Sequence, residues 1–369
     1  MTPTTEAVAE RRPAYLTELA QGTDRFHEPR RTDCPWCGSG RLRTRLRTTD
    51  LLQHKPGSFV VDQCRACSHS FQNPRLTPEG LAFYYRDFYD GLNAGHSARL
   101  LNAQHSARRS ARRHRAAART LLALIEPESW LDVATGQGHF PAAAKEVHPY
   151  TAFDGLDAGA AVEEGRRAGR VEEAHRGTLT ELAPALAGRY DALSMFHYLE
   201  HATDPREELK AARTVLRPGG HLLVEVPDPE SRYAKLLGKW WVSYFQPQHL
   251  HLIPMDNLSR ELERLGYTVV ATDRREAHVP LDLTAGLALF LGHWLPSADA
   301  PWRSKAPTPL QRGLRTALTY AVVPLVAAAY AADQLLAPLA GRTRFSNAYR
   351  VVARKNTAGP GRDPQLTDV

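Results

Sequence analysis

The four cysteines of this chain stand as two Cys-x-x-Cys pairs, Cys34-Pro-Trp-Cys37 and Cys64-Arg-Ala-Cys67. Each pair can turn two thiolates toward one point, and two such knuckles supply the four soft ligands of a tetrahedral zinc ion. Two disulfides or four separate core thiols are the alternatives. No stretch reads as a secretory signal, so a cytoplasmic setting with reduced thiols is expected. A site closed by Cys34, Cys37, Cys64 and Cys67 leaves no open coordination position, so its expected role is structural. Histidines form the next cluster, His197-x-x-Glu200-His201, a spacing that shares one face if the segment turns helical. A third group is Gln246-Pro-Gln-His249-Leu-His251. These are the proton acceptors of the chain: His249 or His197 as general base, with His201 as a hydrogen-bonding partner beside it.

A different chemistry is written in Trp130-Leu-Asp132-Val-Ala134-Thr-Gly136-Gln-Gly138-His-Phe140, an apolar run that ends in a glycine turn and opens a helix. Glycines there let backbone amides approach a ligand closely. A dinucleotide fingerprint needs a third glycine where this chain has Pro141, which disfavours a pyrophosphate. Asp132 beside the loop repels phosphate and attracts an ammonium. The ligand implied is an adenosine bearing a cationic amino-acid arm. Asp157 closes the next strand, where a carboxylate can accept both hydroxyls of a ribose.

These stretches come in a set order with Tyr190-Asp-Ala-Leu193, Leu199-Glu-His-Ala-Thr-Asp-Pro205 and Val215-Leu-Arg-Pro-Gly-Gly-His-Leu-Leu223. In that order residues 129–273 resemble a class I S-adenosylmethionine-dependent methyltransferase. The resemblance implies an α/β, Rossmann-like sheet of seven strands with the last antiparallel. It places Asp132, Ala134, Gly136 and Gly138 on the methionine side of the cofactor, Asp157 on the ribose, and Leu179 and Phe196 nearby. Ala134 stands where the family usually has glycine, and Thr178 where a carboxylate often meets the adenine amino group. Tyr84, Tyr85 and Tyr89 precede the domain; in similar enzymes such a segment closes over the cofactor, with Tyr85 the candidate here, although packing explains phenols equally well. Ubiquinone-type O-methyltransferases, which this region resembles, read Glu-x-x-Glu-His and hold a divalent metal where this chain has His197, Glu200 and His201, so a second metal there is a further expectation. Zinc-ribbon methyltransferases of nucleotide-linked deoxysugars share the order of zinc unit, Tyr-rich segment and methyltransferase domain. The function implied is methylation, on oxygen or carbon, of a small-molecule, glycan-precursor or lipid-linked acceptor. Ribosomal RNA methylation behind a zinc ribbon and a non-catalytic zinc scaffold are the other readings.

These sites divide the chain into a flexible 1–28, a zinc unit 29–75, a helical linker 76–128, a methyltransferase domain 129–355 and a loose tail 356–369. Strands are expected at 129–134, 151–157, 173–177, 190–196, 220–227, 267–273 and 347–354, alternating with helices. The net charge of +7 is concentrated at Arg108, Arg109, Arg112, Arg113, Arg115 and Arg119, a segment that reads as a solvated basic helix or as a contact for an anionic substrate or phospholipid surface. Nucleic acid is not the expected partner, because Phe196-His197-Tyr198 stands where base methylation commonly uses an Asn/Asp-Pro-Pro-aromatic loop. An insertion at 280–344 is apolar over 284–292 and 316–332, with Pro324 inside the second run. It reads as a helical lid or hairpin that packs on the protein or makes peripheral contact at the inner face of a membrane.

Overall fold

The computed structural model describes residues 5–87 and 103–357, with side chains from Glu6 and, in the second stretch, from Ser110. In chain order its elements are α1 (Thr5–Ala20), β1 (Leu42–Thr48), β2 (Phe59–Cys64), β3 (Ser70–Gln72), α2 (Pro78–Tyr85), α3 (Ala103–Arg119) and β4 (Ser129–Val133). There follow α4 (His139–Ala144), β5 (Ala152–Asp157), α5 (Ala161–Arg167), β6 (Ala174–Arg176), α6 (Leu179–Leu182), β7 (Tyr190–Phe196) and α7 (Pro205–Val215). The last are β8 (Leu216–Pro227), α8 (Arg232–Leu236), β9 (His251–Leu252), α9 (Met255–Arg264), β10 (Tyr267–Asp273), α10 (Asp282–Trp294), α11 (Pro309–Ala340) and β11 (Ala348–Lys355).

They make two compact units, and neither is continuous in sequence. The first holds residues 1–106, 229–252 and 279–347; the second holds 107–228, 253–278 and 348–369. In the second, seven strands run in the order β10-β11-β8-β7-β4-β5-β6. Neighbours from β8 to β6 are parallel, and β11 lies antiparallel between β8 and β10. This is the class I methyltransferase sheet, and the seven expected strands all form. Short apolar runs fit here because a parallel sheet is covered on both faces. Trp130, Phe140, Phe153, Ala192, Leu223 and Val352 fill the core under α3 and α4. α7 is started by Asp204, whose carboxylate accepts the Arg206 and Glu207 amides, with Pro205 at the first helical position.

In the first unit a four-stranded antiparallel sheet, β1-β2-β3-β9, carries the cysteine knuckles. Its last strand comes from residues far beyond the expected 29–75, because His251 and Leu252 pair with Phe71 and Ser70. Two expectations are corrected here. Residues 5–20 are helical rather than flexible: Tyr15 is buried and meets Phe83 and Trp302 edge-on at 5.6 and 5.5 Å, so packing fixes the segment. The insertion groups with this unit and not with the sheet that follows it in sequence, since Trp302 joins the Phe26, Phe59 and Phe83 cluster and Ala340 joins Tyr233, Trp241 and Tyr244. Lys55 is buried beneath α2, donating to the Phe83, Tyr84 and Arg86 carbonyls at 2.7, 3.2 and 2.6 Å. It satisfies the acceptors that a helix leaves open at its C-terminus.

Candidate active site

At the carboxyl end of β4 the backbone winds through the left-handed region three times, at Ala134 (φ 56°), Gly136 (φ 54°) and Gly138 (φ 75°). Only glycine takes this conformation without strain, so Ala134 costs roughly 1–2 kcal/mol where the family carries glycine. Nothing lies within 4 Å of the position a Cβ would take on Gly136, so the loop opens onto free space. Its back is tightly held: a Cβ on Gly165 of α5 would come within 2.9 Å of the Gln137 carbonyl, and one on Gly155 of β5 within 2.6 Å of the Thr135 methyl. The sequence reading passed over both glycines, although a glycine inside a strand signals close approach.

Asp157 joins the two loops at this edge. Its Oδ2 accepts the Gly136 amide at 2.9 Å and its Oδ1 the Gly159 amide at 2.7 Å. Each carboxylate oxygen has a second lone pair, so both can still accept a ligand hydroxyl. Asp132 is buried within β4. Ser194 donates to its Oδ1 at 2.6 Å and is itself held by the Trp130 indole at 3.0 Å. Burial pushes the Asp132 carboxyl up to about 7 against the pull of its hydrogen bonds, so a cation brought to it stabilises the charged form. Leu179 is buried at the start of α6, where Thr178 caps the helix by accepting the Glu181 amide. Phe196 is half-buried and packs on Phe140 at 4.5 Å.

His197 corrects the sequence reading. The 197–201 segment is a turn, not a helix, and His197 sits at φ 50°. Its Nδ1 donates to Glu200 Oε1 at 3.1 Å, and Nε2 lies 3.6 Å from Glu225 Oε1. Desolvation alone would favour the neutral ring, but the two carboxylates outweigh it and hold the imidazole at about 9. The two carboxylates thus favour the protonated ring at neutral pH. Glu200 and His201 belong to a group of possible metal ligands among the described residues, and His197 does not join it. His201 is half-buried in the same turn, its amide donating to the Tyr198 carbonyl at 3.0 Å.

The pH dependence follows from the sign of that shift. A pKa raised above the unfolded value of about 6.5 stabilises the fold fully below that pH and ceases to do so above about 9. The penalty of His197→Gln in thermal unfolding is expected to be on the order of 1 kcal/mol at pH 6 and to vanish by pH 10. An unchanging penalty across that range would show that the ring is not held charged.

The other histidine candidate lies in the first unit. His249 is buried, with Nδ1 donating to the Ser243 carbonyl at 2.8 Å and its ring 4.9 Å from Phe245. That bond fixes the orientation of the ring. His251 Nδ1 pairs with His69 Nε2 at 3.1 Å. Tyr84 is buried against Phe59 and Phe83, its hydroxyl donating to Pro56 O at 2.6 Å, which assigns it to packing. Tyr85 is half-buried, its hydroxyl 3.4 Å from the Gln248 carbonyl within the same unit. Tyr89 lies outside the described residues.

The cysteine sulfurs are within 4.8 Å of one another, with Cys34 to Cys67 at 3.7 Å and Cys37 to Cys64 at 3.6 Å. A disulfide would need about 2.05 Å, whereas four sulfurs about 2.3 Å from a tetrahedral centre stand about 3.8 Å apart. The Trp36 and Ala66 amides point at Cys34 and Cys64 sulfur at 3.4 and 3.3 Å. Burial raises the thiols of Cys34 and, to about 11, Cys67, a penalty that a bound cation reverses. Asp154, Glu173 and His175 also converge, but Arg189 already supplies their cation, 2.8 Å from Glu173, and Tyr190 donates to Asp154 at 2.7 Å.

Residues 103–272 match a family model described as a methyltransferase domain. Among characterised proteins the chain is similar to ubiquinone biosynthesis O-methyltransferases. It is 33% identical to that of Acinetobacter baylyi over 125 residues, 32% of this chain and 49% of the relative. It is 28% identical to that of Acinetobacter baumannii over 95 residues, 24% of this chain and 40% of the relative. The chain thus spans less than half the length of these relatives. A solved SAM-dependent methyltransferase from Archaeoglobus fulgidus is 15% identical, with a TM-score of 0.35, covering 62% of this chain and 86% of its own. By this match and by the order of its sheet, the chain carries a domain of the class I S-adenosylmethionine-dependent methyltransferases.

Proposed function

We propose that the chain transfers a methyl group from S-adenosylmethionine to oxygen or carbon of a small acceptor in a biosynthetic pathway. The observation that carries this is Asp157, whose two oxygens tie the glycine loop to the β5–α5 turn while keeping lone pairs for two ribose hydroxyls. Asp132, poised near neutrality in a buried site, would meet the α-ammonium. The open face at Gly136 gives the amino-acid arm room, and the backbone at Leu179 would receive the adenine. S-adenosylmethionine supplies a methyl group on a positively charged sulfur. The protein's share of such an in-line transfer is to orient the acceptor and take its proton. For that proton the candidates are His249 or His197, with His201 as a hydrogen-bonding partner.

For the four cysteines we infer a structural zinc ion. Their spacing matches a zinc tetrahedron and not a pair of disulfides.

Calorimetric titration of S-adenosylhomocysteine into the parent and into Asp157→Asn tests the first reading. The amide keeps one oxygen for a loop N–H and loses the charge that grips the ribose. Affinity is expected to fall by about 1.5–3 kcal/mol, tenfold or more, with little change in thermal midpoint. No binding by a folded parent would sink the enzyme reading.

A further inference from the structure

α10 and α11 form an antiparallel hairpin. Asp333 accepts the Leu283 and Thr284 amides at the start of α10, at 3.1 and 2.8 Å, and Arg315 donates to Pro296 O beyond its end, at 2.5 Å. α10 is 13 residues long and α11 32, so most of the longer helix has one side covered at best. Its most apolar 18-residue window is only 6% buried. Leu310, Leu314, Leu318, Tyr320, Val323, Leu325, Leu335, Leu336 and Leu339 are all exposed. At 100° per residue they cover an arc of about 220° around the helix, far wider than the stripe a soluble amphipathic helix shows. Trp294 at the end of α10 is 71% exposed.

Charge on this surface has one sign. From Asp282 to Arg344 the acids are Asp282 and Asp333, both buried, and Asp299, which is paired with Arg12. Lys305 and Arg312 are exposed toward the start of α11 and Arg342 just past its end. A second copy of this chain would bring basic ends together whichever way two such helices aligned. A face apolar over so wide an arc, with cations at both ends and aromatic rings at its margin, fits an anionic lipid surface.

We propose that the α10–α11 hairpin is a monotopic membrane dock, with α11 lying along the interface rather than crossing it. About 48 Å long, α11 has the length and composition to span a bilayer. Both of its ends, however, are held by the same unit. Trp302, just before it, stacks edge-on with Tyr15, and Ala340 at its end is buried with Tyr233 and Trp241. A helix whose two ends return to one folded body stays on one side of the membrane.

The test is co-sedimentation of the full chain with phosphatidylcholine vesicles, with and without about 30% phosphatidylglycerol. The parent is expected to pellet with the anionic vesicles and to be released by high salt or alkaline carbonate. The variant Leu310→Glu/Leu318→Glu/Leu325→Glu changes only exposed side chains and should keep the parent's circular dichroism. Its partitioning is expected to drop by at least tenfold. Arg312→Glu/Arg342→Glu is expected to weaken binding to the anionic vesicles alone, by about tenfold. A parent that stays in the supernatant at every lipid concentration overturns the proposal. So does carbonate resistance, which would mean a crossing helix, and so does a stable parent dimer that the leucine variant dissociates, which would make the face a protein interface.

Discussion

Stripping the metal with a strong chelator is expected to unfold β1, β2 and β3 and to expose the 29–75 segment to protease. Structural zinc in small Cys-ligated units contributes an apparent binding energy of roughly 10–16 kcal/mol at neutral pH. Whole domains are stable by only about 5–15 kcal/mol. A sheet whose turns converge on four sulfurs within 4.8 Å of each other is expected to draw much of its stability from that energy. Without the cation, burial favours Cys34 and Cys67 as neutral thiols, so the thiolate ligands are lost together with the metal. Metal analysis of the purified chain should find about one zinc per molecule. Trp36, 5.3 Å from His69 beside the site, should report its loss by fluorescence. Cys64→Ser should give a metal-poor, protease-sensitive chain. If the protein is isolated without zinc and is indifferent to the chelator, the cysteines are core thiols and the inference is wrong.

The seven-stranded sheet was readable because each strand announces itself locally. Trp130 to Val133, Tyr190 to Phe196 and Leu222 to Val226 are short apolar runs bounded by turns, and a parallel sheet buries both faces of such runs. The glycine turn and Asp157 were readable for a similar reason, since their roles depend on backbone conformation and on a strand tip. What could not be read was contact between distant segments. β9 is two residues long, His251 and Leu252, and no periodicity exists in two residues; only its pairing with β3 makes it a strand. The grouping of 279–347 with the cysteine unit likewise rests on Trp302, Trp241 and Ala340 finding partners far away in the chain. α1 was missed because its sequence is polar and carries Pro13; the burial of Val8 and Tyr15 holds it in place.

The candidate histidines were hardest for sequence reasoning, because protonation is set by neighbours. His197, Glu200 and His201 look like ligands or bases from their spacing. The deciding residue was Glu225, whose closeness to His197 comes from the parallel pairing of β7 with β8, where Phe196 stands opposite Glu225. In the same way, nothing in Tyr349-Arg350-Val351-Val352 reveals that Arg350 is to be buried. The antiparallel register of β11 on β8 puts it directly opposite Glu225.

Glu225→Gln is expected to destabilise the second unit by about 3–5 kcal/mol, lowering the thermal midpoint by on the order of 10 °C. The carboxylate is buried and serves three cations at once. Arg350, equally buried, donates to Oε2 from Nε and Nη2 at 3.1 and 2.7 Å, Arg113 of α3 donates to Oε1 at 2.6 Å, and His197 lies beside the same oxygen. Against the cost of burial, these cations hold its pKa far below the ordinary glutamate range. The stabilisation is therefore present above the unfolded value near 4.5 and is lost only in strong acid. Glutamine preserves shape and leaves Arg350 without its buried counter-charge; Glu276, 3.5 Å from Arg350, is half-exposed and a weaker substitute. Removing one member of a buried pair is costly, while replacing both with apolar groups is often neutral. Glu225→Met combined with Arg350→Met should thus recover much of what Glu225→Gln loses, leaving Arg113 and His197 able to reach solvent. Chemical denaturation of the parent, Glu225→Gln, each single Met variant and the double Met variant separates the two accounts. If the single variant costs under about 0.5 kcal/mol, or the double variant costs the sum of its parts, the charges are not coupled. In that case Glu225 would also not be one of the carboxylates that favour the protonated ring of His197.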